Sequence, residues 1–132
     1  MGVLLTAVFL SSCGAPQVPT TMKDVPRISV DELKERIDSG EAIVIGDTRV
    51  KTVFDINHIA GAISISSSQV EALLDDLPLD QEIVLYCTWP AEETSAGTAL
   101  IMYESGYENV SVLLGGYEKW REAGYPEEKS DG

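Results

Sequence analysis

Cys87 has the sequence context that most favours chemistry in this chain. It follows the apolar run Ile83–Tyr86 and precedes a short polar loop that leads into a helical pattern. A thiol at the carboxyl end of a buried strand and before a helix N-terminus lies among amide N–H groups that favour a thiolate and attract anions. Two interpretations are compatible with this position: a reactive cysteine, or a buried cysteine acting as a small apolar side chain.

The second cysteine, Cys13, has a different context. Residues 1–10 are almost wholly apolar, and Leu10-Ser11-Ser12-Cys13 follows them. This stretch is shorter than the roughly 20 residues of a membrane-spanning helix and is typical of a signal-peptide core. The four residues resemble the lipobox of bacterial lipoproteins, whose cysteine is acylated and becomes the mature N-terminus. A disulfide between Cys13 and Cys87 is the alternative, which we disfavour because residues 14–21 give Cys13 no reason to pack over the Cys87 loop.

The strongly negative charge of the chain bears on which partners it can bind. It has 132 residues with a net charge of −13, which indicates one acidic domain and disfavours binding to nucleic acid or anionic lipid headgroups. We therefore expect three segments: a lipoprotein signal peptide over 1–12, a lipidated Cys13 with a flexible tether over 13–25, and a folded domain over 26–128. Such a protein is extracytoplasmic and anchored by lipid to a bacterial membrane of the cell envelope.

The elements that position Cys87 alternate between strands and helices. Short apolar runs (Ile43–Ile45, Ile63 with Ile65, Ile83–Tyr86 and Val110–Leu114) predict strands. Amphipathic segments lie between these strands, and two capping boxes, Ser29 with Glu32 and Ser68 with Glu71, mark helix starts. Continuous apolar strands separated by amphipathic helices predict a parallel sheet covered on both faces.

Several short motifs, taken in order, resemble the rhodanese homology domain over residues 27–126. They are Gly46-Asp47-Thr48-Arg49, Phe54, His58-Ile59-Ala60-Gly61-Ala62, Tyr86-Cys87, Leu114-Gly115-Gly116, Trp120, Gly124 and Pro126. The resemblance implies an α/β fold, a rhodanese-like three-layer sandwich with a five-stranded parallel sheet flanked by helices.

The resemblance also implies a sulfurtransferase in which the Cys87 thiolate carries sulfane sulfur as a persulfide, with no metal and no organic cofactor. The substrate-binding loop would be Thr88, Trp89, Ala91, Glu92 and Glu93, whose amides cradle the persulfide. Asp47 and Arg49 would support that loop, and His58 would have a structural role. The partners implied are a small sulfur donor (a persulfide, polysulfide or thiosulfate) and a thiol or cyanide acceptor.

The loop departs from the common family pattern, in which an arginine lies five residues after the cysteine. Glu92 occupies that position and Glu93 follows it. Two carboxylates would repel a dianion by about 2–3 kcal/mol per unit charge pair at roughly 6 Å, so the sequence favours a persulfide or polysulfide over thiosulfate. The same carboxylates would also complement the helix dipole, which is an equally good reason for their presence.

Two other functions are compatible with parts of the pattern. The acidic loop and the lipid tether also suit a non-catalytic rhodanese-type module that binds a protein partner or senses sulfur, with Trp89 as an anchor. Phosphatase or arsenate reductase chemistry is disfavoured, because no Arg or Lys lies between Tyr86 and Lys119 to clamp an oxyanion.

Overall fold

The structure is a computed structural model that describes residues 17–88 and 92–131. Its strands are β1 (Arg27–Ile28), β2 (Ile43–Asp47), β3 (His58–Ile59), β4 (Ile63–Ser64), β5 (Glu82–Tyr86), β6 (Val110–Leu113) and β7 (Glu127–Glu128). Its helices are α1 (Val30–Asp38), α2 (Lys51–Ile56), α3 (Val70–Leu73), α4 (Glu93–Glu104) and α5 (Gly116–Glu122), and a 3₁₀ turn over Leu74–Asp76 extends α3.

Five of the strands form one parallel sheet in the order β1-β6-β5-β2-β4, with β5 at its centre. The carboxyl ends of parallel strands meet at one edge of a sheet, which is where ligands bind in open α/β folds. Asp47 pairs with Tyr86 in the last register position of β2 and β5. The residues that follow these two strands therefore lie side by side. The sheet confirms the predicted fold class.

Both faces of this sheet are covered, which explains why its strands have no polar alternation. Ile83 and Leu85 point into one apolar cluster, which includes Met102 of α4 and Val70 of α3. Val84 and Tyr86 point into the other cluster, together with residues of α1, α2 and α5. The aromatic side chains of Tyr117 and Trp120, both in α5, are buried in this second cluster.

The helix starts agree with the sequence prediction at one capping box and differ at the other. Ser29 accepts a hydrogen bond from the Glu32 amide at 3.1 Å and caps α1. The predicted box at Ser68 is wrong: α3 begins after Gln69 and has no side-chain cap. The Ser68 hydroxyl lies 3.1 Å from that of Ser66 instead, so it pairs with its neighbour rather than with a helix amide.

The structure contains a second, smaller sheet that the sequence did not predict. β3 and β7 form a small antiparallel sheet outside the main one, in which His58 pairs with Glu128. Within the described part of the chain, no helix has the length and apolar character needed to cross a bilayer.

Candidate active site

Cys87 is the first residue after β5, the central strand, and its backbone is fixed by the start of α5. Its carbonyl oxygen accepts a hydrogen bond from the Tyr117 amide at 2.9 Å. The side chain is almost buried, at 5% exposure. Cys87 is also one of the residues that line an open cavity, so it is largely shielded from bulk solvent and lies in a wall that a small molecule can reach.

This cavity has a volume of about 350 Å³ and lies at the carboxyl edge of the sheet. The loops after β2, β4 and β5 and the first turn of α4 all contribute to its wall. The described residues that line it are Thr48, Arg49, Val50, Ser67, Cys87, Thr88 and Thr94. Four of these described residues, Thr48, Ser67, Thr88 and Thr94, carry a hydroxyl group, so the lining has polar as well as apolar parts.

Ser95 contacts the sulfur and was missed by the sequence analysis. Its side chain is fully buried in the first turn of α4, and its Oγ lies 3.4 Å from Cys87 Sγ. The same hydroxyl donates to the Glu92 carbonyl at 3.0 Å. A hydroxyl residue in the first turn of the helix after Cys87 was the signal that could have identified it.

Asp47 and Arg49, which the sequence analysis expected to support the loop, form an ion pair at the carboxyl end of β2. Arg49 forms two hydrogen bonds of 3.1 and 2.6 Å from Nε and Nη2 to Asp47 Oδ2, and Nη2 also donates to the Asn57 carbonyl at 2.7 Å. Asp47 in turn accepts a hydrogen bond of 2.7 Å from the Tyr86 hydroxyl. This pair is buried and therefore joins the end of β2 to the end of β5 through the Tyr86 hydroxyl.

The aromatic rings around Arg49 complete this network. The guanidinium carbon lies 4.1 Å from the centre of the Tyr117 ring and 5.6 Å from that of Tyr86. Burial is the largest single influence on the pKa of Arg49 and would lower it, but the hydrogen bonds to Asp47, together with the charge of Asp47 and the two nearby tyrosines, raise it overall. Burial and the neighbouring Asp47 carboxylate raise the pKa of Tyr86. Arg49 therefore stays charged, with its Nε and Nη2 donors directed at Asp47 and the Asn57 carbonyl.

Glu92 is held by groups of the protein. Its Oε2 lies 3.2 Å from Arg27 Nε, and its Oε1 accepts a hydrogen bond of 3.1 Å from the Gly115 amide. Neither Glu92 nor the exposed Glu93 is among the described residues that line the cavity. The expected repulsion of an anionic donor is therefore offset at Glu92 by the Arg27 guanidinium.

Of the remaining predicted residues, one lines the cavity, one is buried elsewhere, and the others lie outside the described residues. Thr88 is exposed and lines the cavity next to Cys87. His58 is buried and stacked on Phe54 at 3.8 Å, and its ring nitrogens contact the Phe54 carbonyl and Glu128, which agrees with a structural role. Trp89, Ala91 and Cys13, with the signal peptide over 1–12, lie outside the described residues. Within the described ranges, no group of three or more His, Cys, Asp or Glu side chains is arranged to hold a metal ion.

Comparison with known proteins relates this geometry to a family. Residues 29–123 match the family described as the Rhodanese-like domain. The thiosulfate sulfurtransferase GlpE of Pseudoalteromonas translucida is 31% identical over 100 residues, which covers 76% of this chain and 91% of that protein. The GlpE of Pseudomonas syringae is 26% identical over 113 residues, or 86% and 99% of the two chains.

Solved structures agree with the fold. A crystal structure of a protein from Bacillus halodurans superposes with a TM-score of 0.74 at 28% identity, over 81% of this chain and 79% of that one. A crystal structure of an Anabaena protein superposes with a TM-score of 0.71 at 28% identity, over 77% and 80% of the two chains. The parallel sheet and its flanking helices are shared with these structures.

Proposed function

Because this chain belongs to the rhodanese-like domain family, we propose that it is a sulfurtransferase that carries sulfane sulfur as a persulfide on Cys87. The observation that carries the proposal is the position of the sulfur. Cys87 lies at the carboxyl end of the central strand, beside the first turn of α4 and on an open cavity of about 350 Å³. Unpaired amides at a helix start stabilise the negative charge of a thiolate or a persulfide.

The proposed reaction has two displacement steps. In the first, the Cys87 thiolate attacks the sulfane sulfur of the donor, a new sulfur–sulfur bond forms, and the donor's own sulfur–sulfur bond breaks. A persulfide donor releases a thiolate, and thiosulfate releases sulfite. In the second, cyanide or a thiolate attacks the outer sulfur, and the Cys87 thiolate leaves with the electron pair. No external oxidant or reductant is needed.

The preferred donor in this proposal is a persulfide or polysulfide. The net charge of −13 disfavours a dianion at long range. Arg27 offsets the charge of Glu92, which reduces the local penalty. We therefore propose that a persulfide with a single negative charge is accepted faster than the thiosulfate dianion, although the related GlpE proteins are named thiosulfate sulfurtransferases.

A steady-state assay tests the function. Purified protein that begins after Cys13 is mixed with cyanide and either polysulfide or thiosulfate, and thiocyanate is measured against Cys87→Ser. We expect thiocyanate above the uncatalysed rate from the wild type alone, and faster with polysulfide. Equal rates for the two forms with every donor would contradict sulfur transfer and would favour the protein-binding module.

We also propose that Cys13 carries a lipid that anchors the protein to a membrane of the cell envelope. The support is the Leu10-Ser11-Ser12-Cys13 sequence after an apolar stretch. Expression of the full chain in bacteria with a labelled fatty acid should label the wild type but not Cys13→Ala. Label on neither form, with both proteins present at equal amounts, would refute lipidation.

A further inference from the structure

We propose that Ser95 is a second catalytic residue. Its hydroxyl changes its hydrogen-bond partner from the Glu92 carbonyl to Cys87 Sγ when the Cys87 thiol loses its proton and becomes a thiolate. This inference rests on the proposed sulfur transfer through Cys87. It assigns to Ser95 the stabilisation of the thiolate that attacks the donor and is released when the acceptor takes the sulfur.

The position of Ser95 restricts its hydroxyl to few partners. The side chain is fully buried, and its Oγ lies 3.4 Å from Cys87 Sγ and 3.0 Å from the Glu92 carbonyl oxygen. A serine hydroxyl has one proton to donate and two lone pairs to accept with. When it donates to Glu92, it can only accept from Cys87, which suits a neutral thiol that donates its S–H.

The Glu92 carbonyl can lose the serine hydrogen bond without being left unsatisfied. It also accepts the Ala96 amide at 2.8 Å, the first hydrogen bond of the helix. A carbonyl that keeps this partner loses little when the hydroxyl rotates away, whereas a buried group with no partner would destabilise the fold. The hydroxyl can therefore change partners at small cost.

The change follows from the charge on the sulfur. When Cys87 releases its proton to solvent through the cavity, the sulfur becomes an acceptor only. A hydrogen bond to a charged acceptor is roughly twice as strong as one between neutral groups. The Ser95 hydroxyl is then expected to donate to the sulfur. The thiolate is thereby favoured before attack on the donor and again when the acceptor releases it.

A second buried hydroxyl on the same helix provides a matched control. Thr98 is also buried, and its hydroxyl donates to the Thr94 carbonyl at 2.8 Å. Thr98→Val removes a buried hydroxyl from α4 with nearly the same shape. Ser95→Ala removes the one that contacts the sulfur, and alanine is smaller and favours helix, so both variants should fold.

The test is the pH dependence of Cys87 alkylation by iodoacetamide, which reacts with the thiolate, in protein that begins after Cys13. We expect the midpoint of the alkylation profile to rise by about one pH unit in Ser95→Ala, since a hydrogen bond to a charged group is lost. Alkylation below the midpoint should slow roughly tenfold. Ser95→Thr, which keeps a hydroxyl, and Thr98→Val should both follow the wild-type profile.

A measurement on the wild type needs no substitution. The carbon-13 chemical shift of Ser95 Cβ should change with pH at the same midpoint as the alkylation of Cys87. A Ser95→Ala profile that coincides with the wild type, or a Ser95 resonance that does not respond at that midpoint, would overturn the role of Ser95.

The alkylation test separates this inference from the proposed function. If Cys87 takes up no sulfur but the Ser95→Ala midpoint still rises, the sulfurtransferase proposal fails and the contact between hydroxyl and thiolate stands. If the wild type and Ser95→Ala transfer sulfur equally and have the same alkylation midpoint, only the inference about Ser95 fails.

Discussion

Gly116 packs its backbone directly against that of Cys87. Its φ is +56°, in the left-handed region, and a Cβ built at this position would lie 2.2 Å from the Cys87 carbonyl oxygen. The next residue, Tyr117, donates its amide to that same oxygen. A side chain at position 116 would therefore displace the backbone that holds the sulfur.

We predict that Gly116→Ala destabilises the protein by about 3 kcal/mol and slows alkylation of Cys87, because conformational strain and a clash add together. Gly124→Ala is the control, since Gly124 also has a positive φ, of +73°, but has open space around its Cβ position. It should lose only about 1 kcal/mol. Chemical denaturation measures both, and equal losses would show that the contact with Cys87 has no energetic weight.

Residue types and order were sufficient to find Cys87, because an apolar run, a cysteine and a helix pattern are all local features. They were not sufficient to find Ser95, whose contact with the sulfur depends on the path of the intervening loop. The Asp47 and Arg49 pair was predicted at the strand end. Its burial was not, because the Tyr86 and Tyr117 rings that cover it come from distant segments.

The ion pair between Arg27 and Glu92 connects secondary-structure elements around the site. Arg27 lies in β1, an edge strand, and Glu92 immediately precedes α4. The same carboxylate accepts the Gly115 amide just before α5, so it joins the starts of two helices to the sheet edge. Arg27 also donates to the carbonyls of Met22 and Lys23 at 2.8 and 3.4 Å.

We predict that Arg27→Gln slows sulfur uptake from thiosulfate, a dianion, more than uptake from an alkyl persulfide with one negative charge. The substitution leaves the Glu92 charge without its cation. If the donor lies roughly 8 Å from the Glu92 carboxylate and the effective dielectric is about 40, one further unit charge on the donor adds about 1 kcal/mol of repulsion. This repulsion corresponds to an uptake rate that is lower by about fivefold. The measured quantity is the ratio of the two uptake rates.

Arg36→Gln is the matched control for this prediction. Arg36 pairs with Glu41 and with Glu82, the first residue of β5, which is the end of that strand opposite to Cys87. It removes one positive charge from the same protein without altering the site. An equal change of the rate ratio in both variants would assign the effect to net charge and not to Glu92.

Four of the five strands of the main sheet were predicted from apolar residues, as in the continuous run Ile83–Tyr86, whereas β1 was missed because it has only two residues. The Arg27–Glu92 pair was not predicted, because it joins residues far apart in the chain. β3 and β7 were also missed, since two residues per strand are too few for any periodicity. The Ser68 capping box failed because its hydroxyl has a closer partner in Ser66.

At the scale of the whole molecule, the tyrosines connect folding to pH. All five tyrosines of the sequence have a raised pKa, with burial as the largest cause for four of them. Burial and a hydrogen bond to the Glu127 carboxylate raise the pKa of Tyr117 to about 12. The folded protein therefore keeps protons that the unfolded chain loses near pH 10.

We predict that the free energy of unfolding is constant just below pH 10 with respect to these groups and falls as the pH rises from about 10 to about 12. The sign follows because the raised pKa belongs to the folded state, so unfolding releases protons in this range. Urea denaturation at a series of pH values measures the slope. The slope should be shallower in Tyr117→Phe, and an unchanged slope would contradict the raised pKa of Tyr117.

The central claim is that Cys87 carries the transferred sulfur, and intact-mass spectrometry tests it most directly. Protein that begins after Cys13 is weighed before and after exposure to polysulfide, and separately to thiosulfate, with Cys87→Ser as the control. We expect a gain of one sulfur atom in the wild type alone, more complete with polysulfide, and its loss when cyanide is added. No gain from either donor, with Cys87 still open to alkylation, would contradict it.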